Sequence, residues 1–252
     1  MHSPSFHIRY VDAQIVVVDK PAGLTTMRHP AEIAEFGSRA RRFLPPTLAD
    51  LLLPMLPKQN GRNKVIAVHR LDKETSGLVV FARSPNAARY LGGQFRLHSV
   101  ERKYLAVVRG RATSTVLESW LVRDRGDGRR GQAAKPGRGK RAVTHIRVLE
   151  ILGDFTFVEC QLETGRTHQV RIHLGENGTP LCGEQVYDRP LHGKPLAPDP
   201  TGFPRPALHA AVLGLKHPVT GRSMFWTSPL PRDLQELLAQ LRMKNQPSHP
   251  GQ

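Results

Sequence analysis

Acids are scarce in this chain. There are 21 Asp and Glu against 37 Lys and Arg, a formal charge of +16 over 252 residues. Such an excess repels itself in a compact state, and a polyanionic partner is the usual reason to keep it. Nucleic acid is the first candidate and a membrane surface the second. The same shortage argues against a metal-dependent nuclease, which needs a cluster of carboxylates. Cysteine is nearly absent. Cys160 and Cys182 make neither a zinc-ligand spacing nor a disulfide framework. No apolar run approaches the roughly 20 residues that span a bilayer. The opening "MHSPSFHIRYVDAQ" lacks the apolar core of a signal peptide. A soluble protein of a reducing, cytoplasmic compartment is expected. No phosphate-binding loop of the Walker type and no internal repeat is present. What is abundant enough is core: 39% of residues are hydrophobic, so global disorder is excluded.

Along the chain, Ile15 to Val18 reads as a buried strand ending in a Pro-Ala-Gly turn. Residues 28–46 are mixed and polar and read as a loop. "TLADLLLPMLPK" reads as a helix with Thr47 as cap and Pro54 limiting it. "VIAVHRL" and "GLVVFAR" read as strands flanking "DKETS". "SPNAARYLGGQFRLHSV" reads as a helix capped by Ser84, and "RKYLAVVRG" as a strand. Residues 123–141, "RDRGDGRRGQAAKPGRGKR", are basic, glycine-rich and almost without apolar residues. They read as a flexible surface loop, either simply solvated or a sequence-tolerant RNA clamp. "AVTHIRVLEIL" and "FTFVECQLE" form a hairpin about Gly153-Asp154. "TGRTHQVRIHLGENGTP" fits a short helix with Thr167 as N-cap and Gly178 at its end, and strand alternation from Gln169 to His173 fits nearly as well. "PRDLQELLAQLRMK" is the last helix, and residues 243–252 are a flexible tail. Many strands with few helices between them give an α+β fold around a large, mixed, mostly antiparallel sheet with flanking helices and loops.

Asp72 stands out in "AVHRLDKETSGLVVFAR". Aspartate favours turns, where its oxygens accept backbone N–H groups. It also sits between Arg70 and Lys73, and nearby cations keep a carboxylate ionised. An acid repels phosphate, so its place in a positive field makes sense if the field holds RNA while the acid reacts with it. The following "ETSG" supplies hydroxyls and a glycine that permit close backbone approach.

"HRLDKETSGLVVFAR" resembles the central motif of the RluA-type pseudouridine synthases, His-Arg-Leu-Asp followed by Thr-Ser-Gly. "VVVDKPAGL" resembles the first motif of that family, "ERKYLAVVRG" its tyrosine motif and "TGRTHQVRIHL" its arginine motif. "LHAAVLGLKHPVTGR" with the later "SPLP" resembles its C-terminal strands. The motifs run in the family's order over roughly residues 8–240.

The resemblance implies a single catalytic domain of the pseudouridine-synthase fold, without the small S4-like domain that precedes the first motif in many relatives. It implies isomerisation of uridine in structured RNA, ribosomal RNA first and tRNA second, by a monomer that uses no metal and no organic cofactor. Asp72 takes the place of the catalytic aspartate, Tyr104 that of the tyrosine packed on the flipped uracil, and Arg171 that of the arginine paired with the aspartate. The target base must first leave its stack. Arg70, Lys73, Thr75, Arg166 and Gln169 are the expected RNA contacts, and an aliphatic such as Leu174 or one near Ile172 walls the uracil. Lys20 either meets phosphate or braces its turn. His69 and His209 are expected to be structural. His168 and His173, five apart, do not share a helical face, so no zinc site is expected. The basic "GSRARRF" patch and the Arg- and Gly-rich loop depart from the family pattern and leave the identity of the RNA open. A catalytically idle RNA-binding or ribosome-assembly protein of the same fold is the alternative. A glycosidase would need paired carboxylates, and Glu74 is the only nearby candidate.

Overall fold

In the computed structural model, residues 6–39, 43–58, 64–189, 191, 193–194 and 197–245 are described. They divide into two units, Met1–Glu101 with Ala210–Ser228 and Arg102–His209 with Pro229–Gln252. Both are α+β. The tail after Asn245 and residues 40–42 of the "GSRARRF" patch lie outside the described residues.

In the first unit, β1 (His7–Val11) pairs antiparallel with β2 (Ile15–Lys20), and β2 pairs with β4 (Ser76–Ala82). β3 is only Ile66–Ala67. On the other side of β4 comes β10 (Leu208–Lys216, of which Ala210 onward belongs here), followed by its partner β11 (Ser223–Thr227). Ile15–Val18 and Leu78–Ala82 are buried on both faces, which suits continuous apolar runs rather than alternating ones. Ile15, Val17, Leu78 and Val80 pack with Leu91 of α3 (Pro85–Arg96) and with Val100 and Leu213. Ser84 caps α3 by accepting from Ala87 N–H at 3.1 Å, as its sequence predicts.

Two expectations are corrected here. The span 28–46 is not all loop. It holds α1 (Pro30–Phe36) and a 3-10 turn, Gly37–Arg39. The cap of α1 is His29, whose Nδ1 accepts from Ala31 N–H at 3.2 Å while Glu32 accepts from His29 N–H at 2.9 Å. A histidine cap falls outside the Ser/Thr/Asp/Asn rule used to find helix starts. The segment from Val65 to Leu71 is a strand for two residues only, because His69 Nε2 takes the Val80 N–H of β4 at 3.0 Å. As expected, α2 (Leu48–Met55) begins with a Thr47–Asp50 capping box and carries Pro54 in its last turn.

The second unit is an antiparallel meander in the order β5 (Glu101–Arg109), β9 (Phe155–Leu162), β8 (Lys140–Leu152), β6 (Thr115–Val122), β7 (Gly131–Gln132). The β8–β9 turn is at Gly153-Asp154, with Gly153 at φ +65°. β6 has no clean alternation in its sequence and was not expected. Residues 123–141 are more ordered than expected, containing β7 and the start of β8. α4 (Gln169–Glu176) settles the helix-or-strand ambiguity in favour of helix. Its N-cap is His168 in the left-handed conformation at φ +58°, not Thr167. α5 (Arg232–Asn245) buries Leu234, Leu237, Leu238 and Leu241 against Val107, Leu152, Phe155 and Phe157.

Candidate active site

In the first unit the central motif is held by its backbone. Thr26, 1% exposed, accepts from Leu71 N–H at 3.2 Å and donates to Leu71 C=O at 2.8 Å. On the other side of Asp72, the Lys73 carbonyl accepts from Gly23 N–H at 2.9 Å and from Lys20 Nζ at 3.0 Å. Lys20 also donates to the carbonyls of Pro21 and Leu24 at 2.8 and 2.9 Å. Its side chain is fully buried, so of the two roles read from the sequence it takes the bracing one. Thr75 N–H donates to Asp72 C=O at 3.1 Å and closes the turn. Gly77 follows at φ +111°, where a Cβ would lie 2.2 Å from the Ala210 carbonyl oxygen, so only glycine fits. His69 stacks on Phe95, with ring centroids 4.5 Å apart. Asp72 is thus half-buried on a backbone fixed at both flanking residues, with Arg70 and Lys73 exposed beside it.

In the second unit, Tyr104 lies mid-β5 opposite Cys160 and is 9% exposed. Arg171, on α4, is gripped from two directions. Its Nε and Nη2 donate to the two oxygens of Glu184, both at 2.7 Å. Its guanidinium lies 5.2 Å from the ring centroid of Tyr187. Glu184 has no exposed side-chain surface. Burial alone would raise its carboxyl, but Arg171 and the N–H groups of Val186 and Tyr187 outweigh it and hold the carboxyl below the ordinary range. The Tyr187 hydroxyl meets His168 Nδ1 at 2.8 Å, and Gly175 makes room for the Tyr187 carbonyl, which a Cβ there would approach to 2.0 Å. Leu174 and Ile172 are buried to 1% and 0%.

The expected RNA contacts fall into two groups. Arg70 and Lys73 are exposed and Arg166 is half-buried. Thr75 and Gln169 are 3% and 2% exposed and do not offer their side chains to solvent. Gln169 accepts from Thr164 Oγ1 and Arg166 N–H and donates to Val143 C=O and Thr144 Oγ1, so its carboxamide ties α4 to β8. His173 is likewise internal, set between Ser119 and Thr144 at 2.9 Å each, and burial pushes its imidazole down to about 4. Sequence reading missed Glu184 and Tyr187. An acid 13 residues beyond an arginine carries no local signal of pairing.

Among the described residues no helix is long and apolar enough to cross a membrane. The family model for RNA pseudouridylate synthase matches residues 14–176. Over 242 residues the chain is 37% identical to a ribosomal large subunit pseudouridine synthase D of Zymomonas mobilis, covering 94% of this chain and 73% of that protein. A protein of the same description from Pseudomonas aeruginosa is 41% identical over 244 residues, covering 93% of this chain and 71% of the relative. The structure of human RNA pseudouridylate synthase domain containing 4 superposes with a TM-score of 0.70 at 26% identity, covering 93% of this chain and 92% of that one. With these matches beside motifs found in order from "VVVDKPAGL" to "TGRTHQVRIHL", the chain belongs to the RluA-type RNA pseudouridine synthases, isomerases that act on RNA and share its α+β fold.

Proposed function

We propose that this chain isomerises uridine to pseudouridine in ribosomal RNA and that Asp72 is the carboxylate on which the reaction depends. The observation that carries the reading is the Asp72 turn, where Thr26 and Lys20 lock the carbonyls of both flanking residues. Such a backbone fixes the point from which the Asp72 carboxylate reaches a flipped nucleotide. Substrate and product are isomers. The C1′–N1 bond breaks, a C1′–C5 bond forms, C5 loses a proton and N1 gains one, so no redox partner is required. Asp72 supplies the electron pair or accepts a proton. Tyr104 packs on the base. Arg171 takes the place of the family's arginine and is oriented by Glu184 and Tyr187. Arg70, Lys73 and Arg166 meet phosphate. Ribosomal RNA is favoured by the names of the bacterial relatives, whose similarity covers most of this chain.

The test is tritium release from RNA labelled at uridine C5, with ribosomal RNA and tRNA as separate substrates. Wild-type protein is expected to release tritium from ribosomal RNA and the Asp72→Ala variant to release none. Release from tRNA alone would move the substrate. Release by Asp72→Ala would remove the carboxylate from its role. RNA binding without any release would favour the idle binder.

A further inference from the structure

The loop between β6 and β8 uses its acids to build itself. Asp124 accepts from Gly126 N–H at 2.7 Å and Gly128 N–H at 2.9 Å. Asp127 pairs with Arg125 at 3.0 Å, and Arg125 reaches Glu176 of α4 at 2.8 Å. Arg125 is only 4% exposed and packs where Gly131 leaves space, since a Cβ there would lie 2.2 Å from its Cδ. At the base of the loop, Glu118 and Glu163 hold Arg141. Gly139, at φ +105°, brings the returning chain so close to Leu121 that a Cβ would sit 2.5 Å from its carbonyl oxygen. These contacts fix the loop against β6 and α4.

Four cations are gathered at one place. Arg123, Arg130, Lys140 and Arg166 line one cavity of ≈ 400 Å³, floored by buried Leu121 and Ile172, and no carboxylate lines it. Among the described residues none of the four is in an ion pair, and the side chains of Arg123, Arg130 and Lys140 make no hydrogen bond. Arg166 is aimed by the bond from its Nε to Arg141 C=O at 3.0 Å. A concave wall of one charge sign focuses field and gathers the opposite ion. Guanidinium forks fit phosphate oxygens in pairs. A flat bilayer does not enter a concavity, whereas a strand can lay its sugar on the apolar floor.

We propose that this cavity anchors backbone phosphates of the RNA strand, so that affinity is supplied by a cation-lined site on the β6–β8 loop. The proposal rests on RNA as the substrate and deepens that reading. The test compares the wild type with the triple variant Arg123→Gln, Arg130→Gln, Lys140→Gln, and with a charge-matched control, Arg96→Gln, Lys216→Gln, Arg222→Gln, at exposed positions of the first unit. RNA affinity is read by fluorescence anisotropy across a salt series, with kinetics on the same RNA. The triple variant is expected to lose about two from the slope of log K against log salt, with KM raised and kcat unchanged. Single Arg123→Gln and Lys140→Gln variants are each expected to lose about 0.7 to 1, which keeps the test open if the triple variant folds poorly. A slope no different from the control's overturns the anchor even if wild-type turnover is normal. Absent turnover on every RNA, with the slope still changed, removes the enzymatic reading and leaves the anchor standing.

Discussion

The Asp72 turn and the β6–β8 loop are both polar, both rich in cations, and built by opposite uses of charge. Around Asp72 a fully buried lysine is turned inward to satisfy three carbonyls, and a threonine clamps the residue before it. In the loop, the acids are taken up by the loop's own N–H groups and by Arg125, and cations are left facing a cavity. The difference separates two requirements of an enzyme that reacts with one nucleotide of a long polyanion. Chemistry needs a group that does not move, because a misplacement of about 1 Å can cost about a hundredfold in rate. Affinity for a charged strand needs unpaired cations, and their mutual arrangement can be looser.

Four experiments break or sharpen that contrast. Asp72→Ala is expected to lower kcat at least about a thousandfold, with RNA affinity by anisotropy changed little, because the proposed function gives the carboxylate the chemistry and the cations the holding. Glu184→Ala removes the carboxylate that grips Arg171 at 2.7 Å from inside the fold. Taking one partner from a buried ion pair is expected to cost about 3 kcal/mol in denaturant unfolding and to lower kcat about a hundredfold, while KM for RNA stays close to the wild type. Lys20→Met leaves the carbonyls of Pro21, Leu24 and Lys73 without their shared donor. It is expected to lower kcat about tenfold and stability by about 2 kcal/mol, again with the salt slope of RNA binding intact.

Acid gives the smallest effect and acts on the other side of the contrast. His173 bonds Ser119 of β6 and Thr144 of β8, the strands from which the basic loop hangs. Burial depresses its imidazole to about 4. The unfolded chain therefore binds the extra proton first. Its stabilising contribution is intact above about 6.5 and is lost as pH falls toward the folded value. Unfolding free energy is expected to drop by about 1 kcal/mol over the first unit of pH below 6.5, and a His173→Gln variant to lose that slope.

Much of this was legible locally. The buried strand at Ile15, the Thr47 and Ser84 caps, the Gly153-Asp154 hairpin and the position of Asp72 follow from residue types at short spacing. What was not legible depends on distant partners. Gln169 looks like a polar residue available to RNA, until Val143 and Thr144 on β8 are seen to take its carboxamide. Glu184 and Tyr187 frame Arg171 only because the turn after α4 folds back on that helix. The 123–141 segment looked featureless because its order comes from one buried arginine and two glycine contacts, not from apolar residues.

The most direct test of this division is to measure single-turnover pseudouridine formation and RNA affinity on one ribosomal RNA fragment for three proteins: wild type, Asp72→Ala, and the Arg123→Gln, Arg130→Gln, Lys140→Gln variant. The expected result is a crossover. Asp72→Ala binds like wild type and does not turn over, whereas the loop variant binds weakly and turns over at the wild-type rate once saturated. Loss of both properties in either variant, with its fold intact, would contradict the separation of a fixed carboxylate from the field that holds the strand.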